Sequence, residues 1–140
     1  MAEEPMVLIV DDEAEVRETV RRRLRIDGIA AEVASDPRQA LEMMKQHLYP
    51  IAISDIKMPG MSGVELLQEI KKINPLCNVI MMTGFSSMSY VVDCLGTGAV
   101  DYFVKPFADI GGLVEAVSQA RRRIERWRQA MPLRPVTGQQ

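Results

Sequence analysis

Short apolar runs alternate along this chain with longer stretches in which apolar residues recur every three or four positions. Met6 to Val10 is apolar throughout, the pattern of a strand buried on both faces. It stops at Asp11-Asp12. A helix pattern follows, with Val16, Val20, Leu24 and Ile26 among Arg and Glu, and ends near Asp27-Gly28. Ile29 to Ala34 reads as a second strand. Ser35-Asp36-Pro37 then supplies a capping side chain just ahead of a proline, a helix start. Ala40, Leu41, Met44 and Leu48 form that helix's apolar face, and Tyr49-Pro50 breaks it. Ile51 to Ser54 is a third strand ending at Asp55, and Pro59-Gly60 with Gly63 marks a loop. Val64, Leu67, Ile70 and Ile73 line the next helix, which stops at Asn74-Pro75. Cys77 to Met82 is a fourth strand, and a helix from about Ser87 to Leu95 ends at Gly96-Thr97-Gly98. Val100 to Val104 is a fifth strand, and a last helix runs from about Ala108 to Ala130. Five βα units in succession predict an α/β fold with a doubly wound parallel five-stranded sheet. Right-handed crossovers favour the strand order 2-1-3-4-5.

Where the polar residues fall gives this frame a chemistry. Strand one ends in Asp11 and Asp12, strand three in Asp55, strand four in Thr83 and strand five in Lys105. Ligands of open parallel sheets bind beyond the carboxyl ends of the strands, so these residues should meet in one crevice. Three carboxylates brought together repel one another, and a hard divalent cation such as Mg²⁺, which takes oxygen ligands, relieves that. A lysine and a hydroxyl beside them suit phosphoryl oxygens, and phosphoryl transfer needs little beyond positioning and charge neutralisation. Taken singly, each residue has a plainer role. Asp12 could cap the following helix, Asp55 and Thr83 could form turns, and Lys105 could be a solvated surface lysine. Four strand ends carrying the right chemical types together favour the crevice.

Val10-Asp-Asp-Glu13, Ser54-Asp-Ile-Lys-Met-Pro-Gly60 with Gly63, Met82-Thr-Gly84 and Gly98 to Phe107 stand in this order. With them the chain resembles the receiver domain of bacterial two-component response regulators, from about Met6 to Arg126. The resemblance implies a flavodoxin-like fold and a signalling switch rather than an enzyme, with slow self-dephosphorylation. Asp55 would accept a phosphoryl group from a phosphohistidine of a sensor histidine kinase. Asp11, Asp12, Asp55 and the backbone carbonyl of Lys57 would hold Mg²⁺. Thr83 and Lys105 would hold phosphoryl oxygens, and Lys105-Pro106 would be a cis bond. Thr83 and Tyr102 would be the switch pair, altering a surface made by helix four, strand five and helix five that controls an output. Lys57 and Phe85 would stand at the rim and govern access of water.

Two other functions share parts of this pattern. A Mg²⁺-dependent phosphatase with an aspartyl-phosphate intermediate would want a second Asp two residues after its nucleophile, where this chain has Lys57, and a substrate cap. A flavin module would place a phosphate at the first strand's turn, which here is the acidic Asp11-Asp12-Glu13.

Composition narrows the picture further. A net charge of −2 gives no basis for a chain dedicated to nucleic acid. No apolar run approaches a membrane span, and Met1 to Pro5 lacks a basic leader, which points to the cytoplasm. Cys77 and Cys94 form no motif and read as small packing residues. His47 has no metal-ligand neighbours.

The last helix carries Ile110, Leu113, Val117, Ala120, Ile124, Trp127 and Met131, alternately three and four apart. Its first half should dock on the sheet. Its second half either forms a homodimer seam or a connector to an output domain, or folds back through Trp127. Arg121, Arg122, Arg123, Arg126 and Arg128 crowd the same segment and suit a helix C-terminus. Residues 1–130 are thus expected to form one receiver domain, with 131–140 a tail or linker.

Overall fold

The strand runs pair as their continuous apolarity requires. In the computed structural model, which describes residues 5–84, 89–105 and 110–131, β1 (Val7–Val10), β2 (Ala31–Ala34), β3 (Ile51–Asp55), β4 (Asn78–Thr83) and β5 (Ala99–Val104) form one parallel sheet in the order β2-β1-β3-β4-β5. Between them run α1 (Ala14–Ile26), α2 (Pro37–Gln46), α3 (Gly63–Ile73) and α4 (Val91–Thr97), and α5 (Ile110–Ala130) follows β5.

Successive strand residues face opposite sides, so each strand feeds two cores. Leu8, Val10, Ala52, Val79 and Met81 pack under α2, α3 and α4. Val7, Ile9, Ile53, Ile80 and Met82 pack under α1 and α5, through Val20, Leu24, Leu113 and Val117. Both cysteines are free and buried in the first core, where burial pushes the Cys77 thiol up to about 12 and leaves it inert.

Two local features differ from the sequence pattern. Leu48 lies beyond the end of α2 and is exposed, so it does not extend that helix's apolar face; the chain has already turned toward β3, and Tyr49 takes the buried position instead. Ser89 and Tyr90 are 3₁₀ and the regular turns of α4 begin at Val91; the start expected near Ser87 lies outside the described residues. The β4–β5 register skips a residue, with Val79 opposite Ala99 but Ile80 opposite Asp101. That bulge shifts the side-chain phase of the edge strand. Ala99 and Tyr102, three residues apart, therefore both face the α4 core, and Phe103 faces α5. Phe85 and the Lys105-Pro106 bond extend into segments outside the described residues.

Caps fix the helix starts on either side of β3. The Asp36 side chain accepts from the Gln39 N–H at 2.8 Å, with Pro37 as the first helical residue. Ser62 and Glu65 form a reciprocal capping box on α3. The β3–α3 loop then folds so tightly that a Cβ on Gly63 would lie 2.5 Å from the Asp55 carbonyl oxygen and 2.6 Å from the Ile56 Cα. Those are backbone atoms and cannot move aside cheaply.

Gly63→Ala should therefore destabilise the fold by about 2 kcal/mol or more, although Ala is ordinarily the better residue in a helix. Urea unfolding of the variant measures this, and an unchanged or raised midpoint would show that the loop has room.

Candidate functional site

Lys105 leaves the end of β5 and reaches across the top of the sheet. Its ammonium lies 3.0 Å from Asp11 Oδ2 at the end of β1, 3.2 Å from Asp55 Oδ2 at the end of β3 and 3.2 Å from Glu13 Oε1 at the start of α1. Its partners stand 94, 50 and 92 residues away along the chain. Only the parallel register brings them together. The backbone helps, because the Lys105 N–H donates to the Thr83 carbonyl at 2.8 Å.

Each carboxylate is further fixed. Asp11 is fully buried; its Oδ1 accepts from the Glu13 N–H at 2.8 Å, and its carbonyl accepts from Arg17 Nη1 at 2.8 Å. The Lys57 N–H stands 3.4 Å from Asp55 Oδ1. Asp12 is exposed at the crevice edge, and its helix-capping role fails: the N-cap of α1 is Glu13, with no side-chain cap bond. Ligand oxygens of Asp11, Asp12 and Asp55 lie within 4.8 Å of one another and could hold a metal ion. Asp12, Glu13, Asp55, Lys57, Met58, Pro59, Gly84 and Lys105 line an open crevice of about 640 Å³ above them.

Thr83 ends β4 and is buried, but its hydroxyl donates to the Gly84 carbonyl at 3.0 Å rather than to any of these carboxylates. Tyr102 is half-buried one strand over, packed against the α4 core. The Lys57 side chain is exposed at the rim. His47 sits at the other end of the sheet, its Nε2 3.0 Å from the Pro5 carbonyl, and takes no part. Glu13 and Arg17 entered the sequence reading only as a motif letter and a helix-face charge. The reach of Glu13 to Lys105 and of Arg17 to the Asp11 carbonyl depends on side-chain extension that residue spacing does not encode.

Burial pushes the Asp11 carboxyl up to about 6, with the Asp55 charge adding to it and the Glu13 N–H and Lys105 opposing. Burial raises Asp55 as well, against the pull of Lys105. Burial disfavours the Lys105 charge, yet the bond to Asp11 and the charges of Asp11 and Asp55 leave it holding its proton more tightly than a free lysine. The crevice gathers the carboxylates of Asp11, Asp12, Glu13 and Asp55 around Lys105, with Lys57 at the rim, and so carries surplus negative charge. One ammonium is too little for it, and a divalent cation fits the deficit.

With that geometry in view, the comparisons with known proteins agree. The family model described as response regulator receiver domain matches residues 7–118, and the chain belongs to that family. A receiver domain from Clostridium thermocellum superposes with a TM-score of 0.81 at 31% identity, covering 87% of this chain and 98% of that one. NtrX from Brucella abortus gives a TM-score of 0.82 at 30% identity, covering 94% of this chain and 30% of that one. The transcriptional regulatory protein ZraR of Escherichia coli K12 is 37% identical over 100 residues, 71% of this chain and 23% of ZraR. The DNA-binding transcriptional regulator NtrC of the same organism is 34% identical over 131 residues, 94% of this chain and 27% of NtrC. The chain thus spans about a quarter of the length of these curated relatives. Receiver domains of two-component systems are phospho-accepting regulators rather than classical enzymes. Among the described residues, no helix is long and apolar enough to cross a membrane.

The raised Asp11 value has a signed consequence. Between its ordinary value of 3.8 and about 6 the folded state binds the extra proton, so stability falls as pH rises through that window. In metal-free buffer, native protein should lose stability relative to Asp11→Asn as pH rises from 4 to 6.5, and the difference should level off above that. Urea titrations of both proteins in chelator measure it; parallel pH profiles would contradict it.

Proposed function

We propose that the chain is a phosphorylation-dependent switch in which Asp55 accepts a phosphoryl group from a sensor histidine kinase. The observation that carries this is the convergence of Lys105 on Asp11 and Asp55 at the carboxyl ends of three strands. Lys105 bonds Asp55 Oδ2, whereas Oδ1 has the long contact from the Lys57 N–H, which makes Oδ1 the oxygen offered for attack on phosphorus. The new Oδ–P bond forms as the P–N bond to the donor imidazole breaks, and the imidazole leaves with its electron pair. Asp11, Asp12, Asp55 and the Lys57 carbonyl would hold Mg²⁺, which when bound neutralises charge on the transferring group. Lys105 holds one phosphoryl oxygen. Slow hydrolysis of the acyl phosphate resets the switch.

The output step follows from local bonding. In turning toward a phosphoryl oxygen the Thr83 hydroxyl gives up its present acceptor, the Gly84 carbonyl, and the chain after β4 moves with it. Tyr102, which the bulge in β5 holds against the α4 core, turns into the space released. This is a two-state element biased by one added charge. Tyr90 at the N-cap of α4, Val92 and Leu95 on α4 and Val100 on β5 are exposed apolar residues that an output partner could cover on the α4, β5 and α5 surface.

The far end of α5 supports a second contact. Ile124 and Trp127 are half-covered beside Pro50, Asn74 and Leu76, so this end of the helix lies partly on its own domain, while Leu76 and Met131 stay exposed. That stripe suits a homodimer seam or a connector to an output domain.

Incubation with a small acyl phosphate tests the switch by intact mass. Native protein should gain one phosphoryl group only when Mg²⁺ is present, and Asp55→Ala should gain none. A native protein that stays unlabelled, or an Asp55→Ala variant that labels, would count against the reading. Native mass spectra of the same samples report assembly, and a monomer before and after labelling would reject the α5 seam.

A further inference from the structure

Glu13 has a side chain that the chemistry of phosphoryl transfer does not call for. It occupies the N-cap of α1, a position that favours Ser, Thr, Asp or Asn because their short side chains bond the exposed N–H groups. Glu13 makes no such bond, and α1 begins without a side-chain cap. The carboxylate extends instead into the crevice, where Oε1 accepts from Lys105 Nζ at 3.2 Å.

An ammonium has three N–H donors, and among the described residues Lys105 meets three carboxylates: Asp11, Asp55 and Glu13. A phosphoryl oxygen can therefore be bonded by Lys105 only if one of these lets go. The three are not equal. The side chains of Asp11 and Asp55 are 0% and 6% exposed, that of Glu13 62%. Water can replace the bond that Glu13 loses, whereas the buried Asp11 and Asp55 depend on Lys105 or on the proposed Mg²⁺ for a partner.

We propose that Glu13 is a positioning residue whose carboxylate occupies, in the resting protein, the place on Lys105 that a phosphoryl oxygen takes in the loaded one. The inference rests on the reading of the crevice as a phosphoryl-accepting site. Loading at Asp55 then exchanges one anionic partner of Lys105 for another. Glu13 holds the lysine over the crevice in advance, and it makes loading less favourable by the strength of an exposed ion pair.

Beryllofluoride with Mg²⁺, a stable mimic of an aspartyl phosphate, tests this by calorimetry. The proteins are native, Glu13→Ala, Glu13→Asp and Glu15→Ala. Asp keeps the charge but is one methylene too short to reach Lys105, whereas Glu15→Ala removes the same charge from the exposed first turn of α1. Glu13→Ala and Glu13→Asp should both bind the mimic about two- to fivefold more tightly, the range of an exposed pair. Glu15→Ala should match native. If Glu13→Ala binds like native, Glu13 does not compete for Lys105 and the proposal fails. If Glu13→Asp binds like native while Glu13→Ala binds more tightly, the effect is charge alone, and the positioning role is overturned. Should native protein bind no mimic at all, the phosphoryl-accepting reading falls, and the proposal falls with it.

Discussion

One ammonium group ties together the ends of three strands. Lys105 on β5 bonds Asp11 from β1 and Asp55 from β3, at 3.0 and 3.2 Å, in an order of strands that keeps β4 between it and Asp55. Such a bridge requires that every register in the sheet be right, because a slip of one residue would turn these side chains into a core. The apolar strand residues supply that registration. Val7 to Val10, Ile51 to Ile53 and Val79 to Met82 are wholly buried between two helix layers, and their packing carries the cost of crowding carboxylates at the rim.

Burial and charge set the electrostatics together. Burial raises the Asp11 and Asp55 carboxyls against the pull of Lys105, and the two carboxylates in turn make the lysine hold its proton more tightly than in water. A structure of this kind is poised rather than satisfied. It gains when positive charge enters, and on the proposed reading it responds when negative charge is added as a phosphoryl group. The close approach at Gly63 leaves no room for a side chain beside the Asp55 and Ile56 backbone, whereas the Thr83 hydroxyl is tied only to a neighbouring carbonyl. On the proposed reading, a closely packed phosphoryl acceptor and a hydroxyl free to turn toward it thus end adjacent strands.

Much of this was legible in the sequence. Continuous apolar runs identify buried parallel strands, and the polar residue that stops each run marks its carboxyl end. Asp11, Asp55 and Lys105 could therefore be placed together without a structure. The parts that escaped depend on contacts between distant residues or on fractions of a turn. The bulge that shifts Tyr102 in phase leaves no trace in the short run Ala99 to Val104, whose residues do not show which of them is skipped. Gly63 looks like any loop glycine until the Asp55 backbone is seen 2.5 Å from its missing Cβ. Glu13 looks like a helix-start acid, and only the reach of its side chain reveals Lys105. The exposure of Leu48 follows from where α2 stops, a boundary that periodicity alone sets poorly.

The central claim is that the crevice holds surplus negative charge shaped for one divalent cation. Calorimetric titration of Mg²⁺ at neutral pH into native protein, Asp11→Asn and Asp55→Asn tests it directly. The account predicts one saturable ion per chain in the native protein and clearly weaker binding in each variant. Absence of saturable binding, or affinities that survive both substitutions, would contradict it.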